Sequence, residues 1–420
     1  MINNDSSVKH QPESTAPDAP NTRDGLEDNI YTRLLGVRPH LGAHEHISRV
    51  GGNRMSREVM AAMVEANDYF VDMNELNAAA GARAANLLGA EAALVTSGAF
   101  SAMMLGAAAC LTGTDPAKIE ELPHPTFDRR ECLIQTCQRL EYDRAYRLAG
   151  ASVIYADTQA DLEAKLREGR TALVAVLSPG DRQGRFGPPQ RKDRATPVSE
   201  DLVPHEEMVA LAHAYDVPVL VDIGSDLPPW SNVQRYLNAG ADLIAISGGK
   251  VVGGPQSTGL LVGRPDLIEA ARLNAYPNAN LGRGMKVGKE QIVGLIVALE
   301  HLLAGETRSD LVESWHRMAQ HIVDRLQGIP GLKAEFAMNV SEYGDAYLSW
   351  TTDAIALDAE AMQRAMLDGS PRIQTDTRPI AVPGTNELRL TVRTRVLREG
   401  EEQLVADRLR EIFLGATAST

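Results

Sequence analysis

The sequence predicts an α/β protein: a large domain built around a mostly parallel sheet covered by helices, followed by a smaller α+β C-terminal domain. Three observations predict it. Short apolar runs alternate with helical patterns of roughly ten residues from Ala92 to Asn274, as β-α-β units require. One of these runs ends in Asp222 and another is followed, after Ser247 and two glycines, by Lys250, at the place where open α/β sheets bind ligands. The 420 residues, 44 % of them hydrophobic, are enough for two sizeable cores.

Residues 1–25 are polar, rich in Asn, Asp, Ser and Pro, and predict a disordered tail. That leaves 26–304 for the large domain with its N-terminal segment and 305–420 for the small one. From Tyr31 to Asn53 the pattern is loop-like, with His40, His44, His46 and Arg49. Three histidines without a cysteine or carboxylate cluster do not complete a metal site, so no metal is expected, and a polar loop near an anionic ligand is the better reading. Ser56 is a candidate N-cap for a helix to Asn67 with Glu58 in its first turn. Met73–Leu88 is a second helix by its apolar spacing.

The uncharged run 92–111 is long enough to cross a membrane, but Thr96-Ser97-Gly98 interrupts it. It parses as a strand (Ala92–Thr96), a tight turn and a buried helix (Ala99–Leu111). That turn places backbone N–H groups at a helix start, a ready site for a phosphate. Strand and helix then alternate through Cys132–Thr136, Asp143–Ala149, Ser152–Tyr155, Asp161–Arg167 and Ala172–Leu177, up to a polar insertion at Asp181–Asp201. The helix Glu206–Tyr215 leads into the strand that ends at Asp222.

A buried acid at a strand end is costly unless paired. An amine at the end of a neighbouring strand, here Lys250 after Ser247-Gly-Gly, is partly desolvated and becomes a better nucleophile toward a carbonyl. One helix (Trp230–Ala239) and one strand (Ala241–Ile246) separate the two, which puts both on the same sheet edge. Pyridoxal 5'-phosphate (PLP) needs this pair: a lysine to hold its aldehyde as a Schiff base and a carboxylate to keep its pyridine nitrogen protonated. The Ser97-Gly98 turn then fits as the phosphate cup.

The strand Gly259–Gly263 and helix Pro265–Asn274 precede a basic stretch, Arg283, Lys286 and Lys289, read as one face of a helical turn at the start of an apolar helix, Gln291–Leu303. The helix Ser309–Leu326 leads to strands at Lys333–Ala337 and Ala346–Trp350, a helix at Asp358–Leu367, a strand at Glu387–Arg395 and a last helix at Gly400–Phe413. Strand alternation puts Arg389, Thr391, Arg393 and Arg395 on one face, a candidate wall for a substrate carboxylate.

Net charge is −14 and the pI is about 5.3, which argues against a nucleic-acid partner. Cys110, Cys132 and Cys137 have no metal-ligand spacing and suggest reduced thiols in a cytoplasmic protein. The polar N-terminus carries no signal-peptide pattern, and no membrane partner is expected.

Ser247-Gly-Gly-Lys250, Gly254-Pro-Gln-Ser-Thr-Gly-Leu260, Val221-Asp222, Pro228-Pro229 and the stretch Gly282–Glu290 resemble the selenocysteine-synthase-like branch of fold-type I PLP enzymes. Within that branch the similarity is greatest to the D-glucosaminate-6-phosphate ammonia-lyase group, from about Leu34 to the C-terminus. The resemblance implies a seven-stranded, mostly parallel sheet, a small C-terminal domain and a homodimer or larger homo-oligomer. It implies Lys250 as the Schiff-base lysine and Asp222 as partner of the pyridine nitrogen. Ser97, Gly98, Ala99 and Ser247 would hold the phosphate, with Gln256 and Ser257 near a neighbouring subunit's cofactor. Arg283, Lys286, His44 and Arg389 would face a small-molecule amino acid substrate. Two departures stand out. Gln138 occupies the place where relatives carry a histidine stacked on the cofactor ring, and the tract His40–Arg49 replaces a Gly-Thr-rich turn. The implied reaction is α-proton removal and β-elimination, giving a 2-oxo acid and ammonia. Racemisation, aldol cleavage and transamination share its first steps. Selenium transfer to seryl-tRNA would need a basic surface that this acidic chain does not offer.

Overall fold

The computed structural model describes residues 26–178, 202–224, 226–304, 308–339 and 343–417. The expected tail 1–25 and the polar insertion 181–201 lie outside the described residues. The chain forms two compact units, one of Met1–Glu45 with Glu313–Thr420 and one of His46–Val312. This corrects the expected boundary: residues 26–45, assigned from sequence to the large domain, belong with the C-terminal unit. Backbone pairing is the reason. β1 (Leu41–Ala43) runs parallel to residues 373–375, with Leu41 opposite Ile373 and Ala43 opposite Thr375.

In the unit His46–Val312, β2 (Ala92–Thr96), β3 (Glu131–Gln135), β4 (Ser152–Ala156), β5 (Thr171–Leu177), β6 (Val219–Asp222), β7 (Leu243–Ser247) and β8 (Gly259–Gly263) make one sheet in the order β2-β8-β7-β6-β5-β3-β4. β8 is antiparallel to both of its neighbours, and the remaining pairs are parallel. The fold is the seven-stranded, mostly parallel α/β architecture that the sequence predicts. Every residue of β5 and β6 is buried, as expected of strands covered on both faces.

Alternate residues of each strand feed two separate cores. Val174, Val219, Val221, Ile244 and Ile246 pack on one side with Ala80, Ala84, Ile292 and Leu295 from helices 73–88 and 289–304. Leu173, Ala175, Leu220 and Ala245 pack on the other with the apolar face of helix Ala99–Thr112. That helix lies close against the sheet: a Cβ on Gly106 would come within 2.5 Å of Leu220 Cδ1, so a larger residue there would make the core leucines shift.

Local signals set the helix ends. Ser56 caps the helix Arg57–Asn67 by accepting the Val59 N–H. Asp72 accepts the N–H groups of Asn74 and Glu75, and Gly89, at φ 64°, closes the helix begun there. A short helix, Pro116–Glu121, was not expected. Asp115 caps it and Pro116 occupies its first turn, a combination readable in hindsight.

The other unit holds β9 (Leu332–Met338), β10 (Gly344–Thr351), β11 (Ile373–Thr375, the partner of β1), β12 (Ile380–Ala381) and β13 (Glu387–Val392). β12, β13, β10 and β9, in that order, form an antiparallel sheet. Trp350 packs edge-on to Phe413 with ring centroids 5.2 Å apart, and its indole N–H donates to the Leu357 carbonyl at 2.9 Å. β13 stops at Val392, three residues short of the expected Arg395.

Candidate active site

Asp222 ends β6 and is buried. Its Oδ1 accepts the Gly224 N–H at 2.8 Å. Burial pushes the carboxyl above its ordinary range, while that N–H and the charge of Lys250 pull it back. Gly224 marks where the key groups converge. A Cβ built on it would lie 3.0 Å from Asp222 Oδ1, 3.3 Å from Ala99 Cβ and 3.9 Å from Lys250 Nζ. One residue position therefore touches the acid, the amine and the start of the helix Ala99–Thr112. That helix begins after Gly98 (φ 126°, ψ 168°) with no side-chain cap, so its first amides point at the same region. Ser97 Oγ lies 2.7 Å from Ser101 Oγ at this helix start.

Lys250 sits in the loop 248–258 between β7 and β8, and backbone crowding shapes that loop. A Cβ on Gly249 would meet the Gln256 Cα at 2.5 Å. The Gly248 N–H donates to Thr258 O (2.9 Å), the Gly253 N–H to Lys250 O (2.9 Å) and the Gly254 N–H to Gly248 O (3.0 Å). Ser247, half-buried, ends β7 just before it. Gln256 and Ser257 are exposed. The Gln256 amide donates to Ser48 O at 3.3 Å, and Ser257 Oγ accepts from Gln291 Nε2 at 2.6 Å. Sequence reasoning missed Asn53, whose side-chain amide donates to Lys250 O (3.1 Å) and Gly254 O (3.2 Å). A polar residue just after Gly51-Gly52 was the available signal.

Gln138 is buried beside Asp222; both line a void of about 10 Å³ together with Met103, Asp143 and Tyr146. Its amide is committed to the backbone of β5, accepting the Leu177 N–H (3.3 Å) and donating to Leu177 O (3.4 Å). It is pinned in the sheet edge rather than free to swing.

The residues expected around the substrate divide between the two units. Arg283 is exposed and lies over the Tyr276 ring, 5.3 Å from its centroid; Lys286 is exposed. The helix begins only at Lys289, so the basic trio does not share a helical face. Lys289 instead donates to Ala66 O at 2.8 Å and pairs with Glu290 at 2.6 Å.

In the C-terminal unit, Arg389 is exposed and paired with its neighbour Glu387 at 2.8 Å. The single arginine face does not form, because Arg393 and Arg395 lie past the end of the strand. Arg395 is buried, bound to Asp345 and 3.1 Å from Glu45, with Trp315 and Tyr343 against its guanidinium. Arg393 pairs with Asp376 and lies 3.5 Å from both Glu45 and Asp345. His44 is buried in the same unit. Its Nδ1 is 2.5 Å from Glu45 O, and its Nε2 is 3.3 Å from His40 Nε2. Among the described residues, no group of three or more His, Cys, Asp or Glu side chains gathers as metal ligands would. No helix among them is long and apolar enough to cross a membrane.

Known proteins resemble this chain along its length. The chain is 30 % identical over 392 residues to the 5'-C-glycyluridine monooxygenase-decarboxylase of a Streptomyces species, covering 90 % of this chain and 91 % of that protein. It is 25 % identical over 400 residues to the D-glucosaminate-6-phosphate ammonia lyase of Salmonella typhimurium, covering 92 % and 98 %. A solved D-glucosaminate-6-phosphate ammonia-lyase superposes with a TM-score of 0.76 at 23 % identity, over 93 % of this chain and 99 % of that one. The family model "SelA: L-seryl-tRNA selenium transferase" matches residues 199–327, the segment that carries Asp222 and Lys250.

The residues present fit PLP. A buried carboxyl with a raised pKa gains from a cationic ring nitrogen, the uncapped helix start suits a phosphate, and the glycine at 224 leaves room among acid, amine and helix.

Proposed function

Given that this chain belongs to the selenocysteine-synthase-like branch of the fold-type I PLP enzymes, we propose that it is a lyase acting on an amino acid or amino-sugar acid and releasing ammonia and a 2-oxo acid. The convergence of Asp222, Lys250 and the helix start around Gly224 carries the reading. The full-length similarity to an ammonia lyase supports its choice of reaction.

When bound, PLP supplies an aldehyde that takes up the substrate amine and a ring that accepts the electron pair left at the α-carbon. The protein's part follows from its own residues. Asp222, kept ionised by a protonated ring nitrogen, would hold that proton in place. The amides at Ala99 with Ser97, Gly98 and Ser247 would bind the phosphate and fix the ring's tilt. The Lys250 amine, once released from the cofactor, would remove the α-proton on the face it occupies. It would then pass the proton to the departing β-hydroxyl, which leaves as water. Water added back at the α-carbon releases ammonia, so the net reaction consumes no oxidant. Gln138, an amide bound to Leu177, would position without exchanging protons. Arg283, Lys286, His44 and Arg389 remain proposed substrate contacts, Arg389 with the weakest support because Glu387 already pairs with it. A homo-oligomer is part of the proposal; exposed Tyr69, Phe70 and Val71 support it, and sedimentation would test it.

The Streptomyces relative favours a second reading, oxygen-dependent decarboxylation of a glycyl nucleoside. One experiment separates the two. PLP-loaded protein is incubated with β-hydroxy amino acids, amino-sugar acids and glycyl nucleosides while ammonia, CO2 and O2 are followed. Ammonia release without O2 uptake supports the lyase. CO2 release coupled to O2 uptake replaces it.

A further inference from the structure

We propose that Asn53 is a positioning residue for Lys250, setting the aim of its amine toward the cofactor aldehyde; this rests on the PLP reading of the site. The Lys250 carbonyl accepts two hydrogen bonds, one from the Gly253 N–H (2.9 Å) and one from Asn53 Nδ2 (3.1 Å). The same Asn53 nitrogen reaches Gly254 O at 3.2 Å, so one side chain ties the lysine to the far side of its own turn. Both partners are carbonyl oxygens. The amide nitrogen must therefore face them, and the two hydrogens of an NH2 group match the two acceptors.

Asn53 is itself held rigidly. Residues 47–52 close a tight turn, with the N–H groups of Val50 and Gly52 on Ile47 O and that of Gly51 on Ser48 O. Gly51 and Gly52 adopt φ of 102° and 72°, a region that disfavours side chains. A second tie runs the other way, from Gln256 Nε2 to Ser48 O. A Cβ on Gly52 would strike the Gln256 side chain at 2.7 Å. Two loops far apart in sequence, 47–53 and 248–258, thus brace each other at the lysine and over the residues that follow it. Asp222 and the helix start at Ala99 belong to neither loop, and Ser247 is held in β7 just before the second one, so the proposed ring and phosphate contacts lie outside this brace.

That separation makes the inference testable. Linkage replaces the aldehyde C=O by C=N: the neutral Lys250 amine adds to the carbonyl carbon and water leaves. The step depends on the aim of the amine. Binding of 4'-deoxypyridoxine 5'-phosphate, which lacks the aldehyde, depends only on ring and phosphate contacts. Full-length wild type, Asn53→Ala and Asn53→Asp are mixed with PLP in a stopped-flow spectrometer, and affinity for the deoxy analogue is measured by calorimetry. Asn53→Ala is expected to slow linkage on the order of 10- to 100-fold, as a misaimed reacting group does, with analogue affinity changed less than about twofold.

Asn53→Asp sets a carboxylate against two carbonyl oxygens. It is expected to be slower still at neutral pH and to recover, relative to the wild type at the same pH, as the carboxyl is protonated. Linkage in Asn53→Ala at the wild-type rate would overturn the proposal. So would parallel losses in linkage and analogue affinity, because they would mean a general structural role. Failure of the wild type itself to link PLP would instead overturn the cofactor reading.

Discussion

Gly259→Ala tests how tightly the sheet holds the helix start at the cofactor edge. Gly259 opens β8, between β2 and β7. A Cβ there would lie 2.5 Å from the Gly98 carbonyl carbon, 2.7 Å from Ile246 O and 2.8 Å from Gly98 Cα. All three are backbone atoms, so no rotamer change relieves the contact. Ordinary contact begins near 3.4 Å, which leaves a shortfall of about 0.9 Å for Gly98 or β8 to absorb. Overpacking of this kind costs about 1–3 kcal/mol. A domain of this size loses roughly 2–4 °C of Tm per kcal/mol. Moving Gly98 by most of an ångström also misplaces the amides proposed to bind the phosphate, and a loss of PLP affinity on the order of tenfold or more is expected. Calorimetry measures the first effect and a PLP titration followed by absorbance the second. Gly415→Ala is the control: it lies in the last helix with no heavy atom within 4 Å of the added carbon, and PLP affinity should not change. Wild-type PLP affinity in Gly259→Ala would refute the placement of the phosphate cup at Gly98.

Three further outcomes follow from buried charges. Burial raises the Asp222 carboxyl above its ordinary 3.8, so in cofactor-free protein the unfolded chain ionises first and stability falls as pH rises from 3.8 through the folded value. Asp222→Asn should therefore raise the Tm of cofactor-free protein at pH 7 while weakening PLP retention, both read by thermal denaturation with and without PLP. His205, buried edge-on against Tyr236, is pushed by desolvation from 6.5 to about 4. Below pH 6.5 the unfolded chain takes the proton that the folded one refuses, so stability should drop from pH 6.5 down to about 4, and His205→Asn should flatten that slope in urea titrations. Arg395→Met leaves the fully buried Asp345 short of a partner and should cost about 3–5 kcal/mol. Arg389→Met removes an exposed pair and should cost less than about 1 kcal/mol.

Much of the large unit was legible because its signals are local. The run Ala241–Ile246 is mostly apolar and bounded by glycine, and β7 lies over Leu243–Ser247; Ser56 announced a helix and capped it. Asp222 and Lys250 stood out because charge directly after a buried strand is expensive without a purpose. What stayed hidden depends on tertiary pairing. β1 has three residues, too few for any periodicity, and exists because residues 373–375 lie beside it. That pairing moved residues 26–45 out of the large domain.

Strand alternation was extended three residues too far past Val392, which put Arg393 and Arg395 on an imagined face with Arg389. The actual turn sends Arg395 inward to Asp345 and Glu45. Asn53 is separated from Lys250 by 197 positions, and nothing in a single sequence links them.

The central claim is that Lys250 holds pyridoxal phosphate against Asp222. Its most direct test is the visible absorption spectrum of the PLP-treated, desalted protein, before and after borohydride, beside Lys250→Ala. The account predicts a visible band that borohydride bleaches, with the cofactor fixed to a peptide containing Lys250, and no such band in the variant. A wild-type protein with no band after PLP treatment, or a variant that keeps one bleached in the same way, would contradict it.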